Sequence, residues 1–230
     1  MKSTPYCLLM RHLPHDLQRE DCFVWQGQWV WSCDPSIMSR SERYMPSCLV
    51  DLFGILDKRP IIIVSGSARR HIQTSHVLCK AMRDMWYDAT YDYVNSWFNE
   101  RWFGYYRHWW TRFPLEWVPR KEVSQKLSLK PSHLHHSPLF QFESLYSQIT
   151  RFSDALRHTL QACEWRHNLV VVTSGGVMRS FAEYMWYHMS SPLANLGTLH
   201  VPIQYESWVV SWFDSPSLVY PGIISKMSTH

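Results

Sequence analysis

The chain has little charge for its length, no paired-cysteine motif, no apolar run long enough to span a membrane and no internal repeat. Each shortage removes a class of protein. Asp, Glu, Lys and Arg make up 18% of the 230 residues, below the usual quarter of a soluble domain. Hydrophobic residues make up 46%, so the chain folds around a core rather than remaining disordered. No Lys/Arg run exceeds two residues and the formal net charge is +4. The clustered basic stripe of a nucleic-acid binder is therefore missing, while a mild positive field suits a small anionic ligand. Six cysteines are scattered, with no CxxC pair. Cys7, Cys79 and Cys163 lie in apolar or helical patterns, which reads as reduced core thiols of an intracellular protein. The first apolar run is short and gives way to His12-Leu13-Pro14-His15-Asp16, unlike a signal peptide. With no span-length segment either, the expectation is a soluble cytoplasmic protein with no membrane partner.

What the chain does have is aromatic mass and buried-strand patterns. Aromatics reach 15%, with 13 Trp, and read as rigid core filler or as the lining of a pocket or partner surface. A length of 230 residues fits one sizeable domain or two small ones, and the pattern of elements favours a single domain over 1–230. Near-continuous apolar runs at Tyr6–Met10, Pro60–Ser65, Asn168–Thr173 and Leu199–Ile203 predict strands covered on both faces. Trp208–Phe213 alternates less cleanly and fits an edge strand. Helical periodicity predicts helices over Ser47–Leu56, Ser67–Trp86, Ser144–Trp165 and Val177–Met189. Strands alternating with helices predict a three-layer α/β/α sandwich with a mostly parallel central sheet. Segment 13–46 is loop-rich. Segment 105–141 holds Pro114, Pro119, Pro131 and Pro138 among many aromatics and reads as an inserted cap or long loop.

Three of these strands end in polar groups: Arg11 and His12; Ser65-Gly66-Ser67-Ala68-Arg69-Arg70; and Thr173-Ser174-Gly175-Gly176. Ligands of open α/β sheets sit at the carboxyl ends of the strands. Two Arg there grip an anion by bidentate hydrogen bonds, and a Gly-Gly step into a helix adds backbone donors and a helix N-terminus. A His beside two Arg stays neutral, because like charge disfavours its protonation. His133, His135 and His136 lie in a Pro/Ser-rich stretch and read as exposed polar loop rather than a metal site. Asp16 and Arg19 face a pocket mouth or cap a loop. No residue pattern calls for a metal or an organic cofactor.

The residues also resemble a known family, the histidine phosphatase or phosphoglycerate mutase-like superfamily. Its opening Arg-His-Gly appears as Arg11-His12-Leu13. Its Arg-Ala-x-Gln-Thr appears as Arg70-His71-Ile72-Gln73-Thr74, and its Asn-Glu-Arg-x-Tyr-Gly as Asn99-Glu100-Arg101-Trp102-Phe103-Gly104. Its Gly-Glu-Ser appears as Phe142-Glu143-Ser144, and its Ser-His-Gly-Gly-Val-Ile-Arg as Thr173-Ser174-Gly175-Gly176-Val177-Met178-Arg179, with Asn195 matching a later Asn. Each motif is weak alone; five in order make the resemblance. It implies a phosphohydrolase acting on a small phosphorylated metabolite, with mutase activity open. His12 would become a phosphohistidine, Arg11 and Arg70 would clamp the phosphoryl group, and Glu100 would protonate the leaving oxygen and then activate water. Ser174 and Gly175 would line the phosphate site.

Two departures stand out. Leu13 replaces a Gly and is expected to reduce backbone room beside the phosphate. Ser174 stands where the family has its second His, a loss worth on the order of 10²–10³ in rate. His15, His71, His200 or the 133–136 cluster are the histidines available to compensate. Two alternatives stay open: altered chemistry on a non-phosphate anion, and a non-catalytic binding protein. The oligomeric state is also open, a homodimer included.

Overall fold

In the computed structural model the described residues are 5–15, 22–26, 36–54, 56–99, 115–119, 145–163, 166–185, 193–206, 209–213 and 216–220. Their centre is a six-stranded sheet in the order β10-β7-β1-β6-β3-β4. Its strands are β1 (Cys7–Arg11), β3 (Ile61–Ser65), β4 (Ala89–Val94), β6 (Asn168–Thr173), β7 (Thr198–His200) and β10 (Ser217–Tyr220). β1, β6, β3 and β4 pair in parallel. β7 runs against β1, and β10 runs against β7. β7 is thus the one reversed strand, and the sheet is mostly parallel, as expected.

The apolar runs form strands because each buries both faces. Cys7, Leu9, Val64, Leu169 and Val171 point into one core with Phe152, Leu156, Phe181 and Ala182. Leu8, Met10, Ile61, Ile63, Val170 and Val172 point into the other with Leu49, Leu52, Leu78 and Met82. Side chains alternate across a strand, so two full cores require an unbroken apolar run. The first core is closed by helices α3 (Leu145–Ala162) and α4 (Gly175–Tyr184), the second by α1 (Met45–Phe53) and α2 (Arg69–Asp84). The result is the expected three-layer α/β/α sandwich.

Details differ from the sequence reading in ways the chain explains. α1 begins earlier than its periodicity implied, with a proline in its first turn, where the missing N–H costs nothing. α4 begins at Gly175 because Ser174 caps it. β4 escaped the sequence reading: as an edge strand it alternates buried and exposed residues and carries Asp92. The run 209–213 forms β9, but it pairs with β8 (Ile203–Glu206) in a separate hairpin, and β10 takes the sheet edge instead. β2 (Cys22–Gln26) pairs antiparallel with β5 (Leu115–Pro119). That ladder joins the two loop-rich segments, 13–46 and 105–141. The remainder of 105–141 lies outside the described residues. Cys7, Cys48, Cys79 and Cys163 are buried free thiols; burial raises the pKa of Cys48 to about 12 and that of Cys163 to about 11. No helix among the described residues is long and apolar enough to cross a membrane.

Phe152 fixes the α3 layer. It is fully buried, with ring centroids 5.5 Å from Phe98 and 5.2 Å from Phe181. Phe152→Ala is expected to lower unfolding free energy by about 3–5 kcal/mol, measured by urea denaturation. A loss under about 1 kcal/mol would mean that this core collapses around the gap.

Candidate functional site

The parallel pairing decides where the polar groups meet. Arg11 lies opposite Thr173, and Ser65 opposite Val172, so β1, β6 and β3 end at one edge. Backbone bonds carry the ladder one step beyond: His12 N donates to Thr173 O (3.0 Å) and Gly66 N to Val172 O (3.1 Å). His12 therefore leaves its strand beside Ser174 and the start of α4.

His12 is held on three sides. Its Nδ1 is 2.7 Å from the Leu13 carbonyl oxygen, which can only accept, so Nδ1 carries the proton. Nε2 then keeps its lone pair and accepts from Arg70 Nε at 3.3 Å. The surrounding backbone is clamped as well. Leu13 N donates to Thr74 Oγ1 (3.0 Å), Thr74 Oγ1 donates to Arg70 O (2.6 Å), and Asn195 Nδ2 donates to His12 O (2.9 Å). Thr74 and Asn195 belong to the sequence motifs, which point to no role for either. Both turn out to fix the loop that carries His12. The spacing of Thr74 one helical turn after Arg70 was the available signal.

Both Arg residues reach this edge. Arg70, in the first turn of α2, is the largest fully buried side chain among the described residues, at 2% exposure. Arg11 Nη1 donates to the Leu193 carbonyl. The stem of Arg11 runs along Gly175: a Cβ there would sit 3.0 Å from Arg11 Cδ. The sequence assigned Gly175 to phosphate binding; its visible role here is to leave space for Arg11. Ser174 is fully buried and caps α4, its Oγ accepting from Val177 N at 3.5 Å.

The expectation that Leu13 narrows the site is corrected. Its side chain packs with Leu8, Met10, Met45 and Leu49 in the core on the α1 side, and only its backbone serves His12. His200 is corrected too. β7 is antiparallel, so His200 pairs with Leu8, and its ring lies against Tyr6 at 5.2 Å. At roughly 3.3 Å per residue, that is about 13 Å along the sheet from His12. His15 does arrive, its ring centroid 5.6 Å from that of His12, and so does His71, at 5.3 Å. Glu100, Arg101, Trp102, Asp16, Arg19, Glu143 and the histidines at 133, 135 and 136 lie outside the described residues.

The electrostatics follow from this crowding. Burial, then Arg70, His71, His15 and Arg11, hold His12 well below its ordinary pKa of 6.5. Burial and Arg70, then His15, do the same to His71. Burial, Arg70 and Arg11 lower His15 to about 3. Among the described residues, the edge at neutral pH therefore presents two guanidinium groups and three neutral imidazoles, a set of groups suited to an anion.

No protein-family model and no curated protein matches the sequence. Solved structures do match along nearly the whole chain. A structure described as mycobacterial hydrolase 2 aligns with TM-score 0.62 at 14% identity, over 97% of this chain and 94% of the other. The chain has the phosphoglycerate mutase-like fold. A mycobacterial glucosyl-3-phosphoglycerate phosphatase in complex with VO3 shares this fold, with TM-score 0.58 and 15% identity over 93% of this chain and 97% of that one. So does a phosphoserine phosphatase variant from Entamoeba histolytica, in complex with phosphoserine, with TM-score 0.59 and 15% identity over 93% and 94% of the two chains.

Three buried neutral histidines make stability acid-sensitive. Each pKa is lowered in the fold, so below about 6.5 the unfolded chain binds protons that the folded chain does not. Stability is therefore unaffected by these groups above pH 6.5 and falls as pH drops below it, by up to about 1.4 kcal/mol per pH unit for each histidine. Urea unfolding between pH 7.5 and 5 should show this decline. A flat profile over that window would contradict the buried neutral cluster.

Proposed function

We propose that the protein is a phosphohydrolase acting on a small phosphorylated metabolite through a phosphohistidine on His12. The observation that carries this reading is the 2.7 Å contact between His12 Nδ1 and the Leu13 carbonyl oxygen, which sets the tautomer of His12. A donor bond to Leu13 O leaves Nε2 unprotonated at the edge where Arg11 and Arg70 converge.

In the first step Nε2 attacks phosphorus. The P–Nε2 bond forms as the ester P–O bond breaks, and the leaving oxygen takes a proton from Glu100. In the second, water attacks phosphorus, Glu100 takes its proton, the P–Nε2 bond breaks and inorganic phosphate leaves. The role of Glu100 rests on the family resemblance. The donor that Arg70 now gives Nε2 turns to a phosphoryl oxygen when substrate arrives, so a single guanidinium holds the nucleophile in line and then neutralises the charge that develops. Neighbours of the same fold include phosphatases, which fits the reading. Transfer of the phosphoryl group to a second hydroxyl instead of water would make the protein a mutase.

Rapid quenching with a labelled phosphoester is expected to leave acid-labile, alkali-stable phosphate on His12, and His12→Ala removes it. Arg70→Gln should slow turnover about 10²–10³-fold. Because the imidazole is held below 6.5, turnover should not fall with a midpoint near 6.5; its acid limb should come lower. A folded protein that neither turns over a broad phosphoester panel nor forms phosphohistidine would overturn the proposal, and an anion bound at the same edge without turnover would point to the non-phosphate reading.

A further inference from the structure

Buried polar atoms without hydrogen bonds are rare and costly, so a group of them in one place calls for an explanation. Both ring nitrogens of His71, Oδ1 of Asn99 and Nδ1 of His15 are buried with no hydrogen-bond partner among the described residues. The rings of His71 and His15 flank that of His12, and Asn99 lies with His71 beside Gly66. The His71 ring is fully buried, 5.3 Å from that of His12 and tilted 32° to it. Nδ1 of His71 and Oδ1 of Asn99 lie 2.5 and 2.6 Å from the point where a Cβ on Gly66 would stand, so the missing side chain of Gly66 is what admits both. Asn99 is itself anchored, its Nδ2 donating to Ser67 Oγ at 2.7 Å. Meanwhile the oxygen of Ser174 is engaged in capping α4.

We propose that His71 is a direct ligand of the bound phosphoryl group, donating a ring N–H to it and taking up a proton as the anion binds. This rests on the reading of the site as a phosphoryl site and adds a residue to it. α2 makes the placement possible: Arg70 and His71 are consecutive in its first turn, and both are buried at the edge where β1, β3 and β6 end. The groups facing His71 are Arg70 on its own helix and His12 and His15 on the β1 loop, with Asn99 polar but uncharged. With no anion present the Arg70 charge and burial keep its imidazole neutral. A phosphate dianion reverses that field, and the favourable state becomes an imidazolium paired with the anion. An imidazole with no hydrogen-bond partner among the described residues thereby gains a charged one when the anion binds.

The test is titration calorimetry of inorganic phosphate into the wild-type protein, His71→Leu and His71→Gln near pH 7. Two buffers of different ionisation enthalpy give the protons taken up. His71→Leu is expected to bind phosphate about tenfold to a hundredfold more weakly and with less proton uptake than wild type. Its ligand-free melting temperature should match or exceed that of wild type, since two buried nitrogens with no partner among the described residues are gone. His71→Gln keeps a donor but cannot take a proton, so it should recover part of the affinity and none of the uptake; it carries the test if His71→Leu fails to fold. Unchanged affinity and proton uptake in both variants, with wild type binding phosphate and His12 still labelled, would sink the role of His71 and leave the phosphohydrolase reading standing. No phosphate binding by folded wild type would remove both.

Discussion

The hydrogen bond from His12 Nδ1 to the Leu13 carbonyl, at 2.7 Å, is the constraint on which the site depends. It fixes the tautomer, and with it which nitrogen is free to act. A carbonyl one residue away can serve only if the loop is rigid, and the surrounding structure makes it so. Thr74 holds Leu13 N, Asn195 holds His12 O, and the Leu13 side chain is packed into the core. Thr74 is held in turn by Arg70 O, so the helix that delivers the guanidinium also holds the loop that carries the imidazole.

The second constraint is charge. The edge concentrates cations and imidazoles under low exposure, and the imidazoles respond by staying neutral. The fold thereby gathers positive charge and neutral imidazoles at one edge. The same burial that depresses these pKa values strengthens every interaction with an anion that enters. Acid-sensitive stability and the neutral state of His12 are consequences of a single arrangement, on which the proposed nucleophile and anion site also rest.

Much of this was legible in the sequence because the informative strands are the most buried. Unbroken apolar runs located β1, β3 and β6, and the polar residues that follow them fall at one edge once the strands are parallel. Strand direction was less legible. The run at Leu199–Ile203 predicted a strand but not that β7 is reversed, and reversal is what carries His200 away from His12. The side-chain direction of Leu13 was equally hidden, since a loop residue shows no periodicity. β4 and β10 were missed for a related reason: edge strands are half exposed and lose the apolar signature. His71 stood among several histidines of equal standing until the first turn of α2 placed it beside Arg70 and His12.

The central claim is that His12 is a neutral imidazole with its proton on Nδ1 and an unprotonated Nε2. Long-range nitrogen–proton NMR correlation of the ring, with His12→Ala supplying the assignment, measures this directly. The expected pattern is a protonated Nδ1 and an unprotonated Nε2 that persist as pH is lowered through 6.5. A proton on Nε2, or an imidazolium titrating at 6.5 or above, would contradict the account.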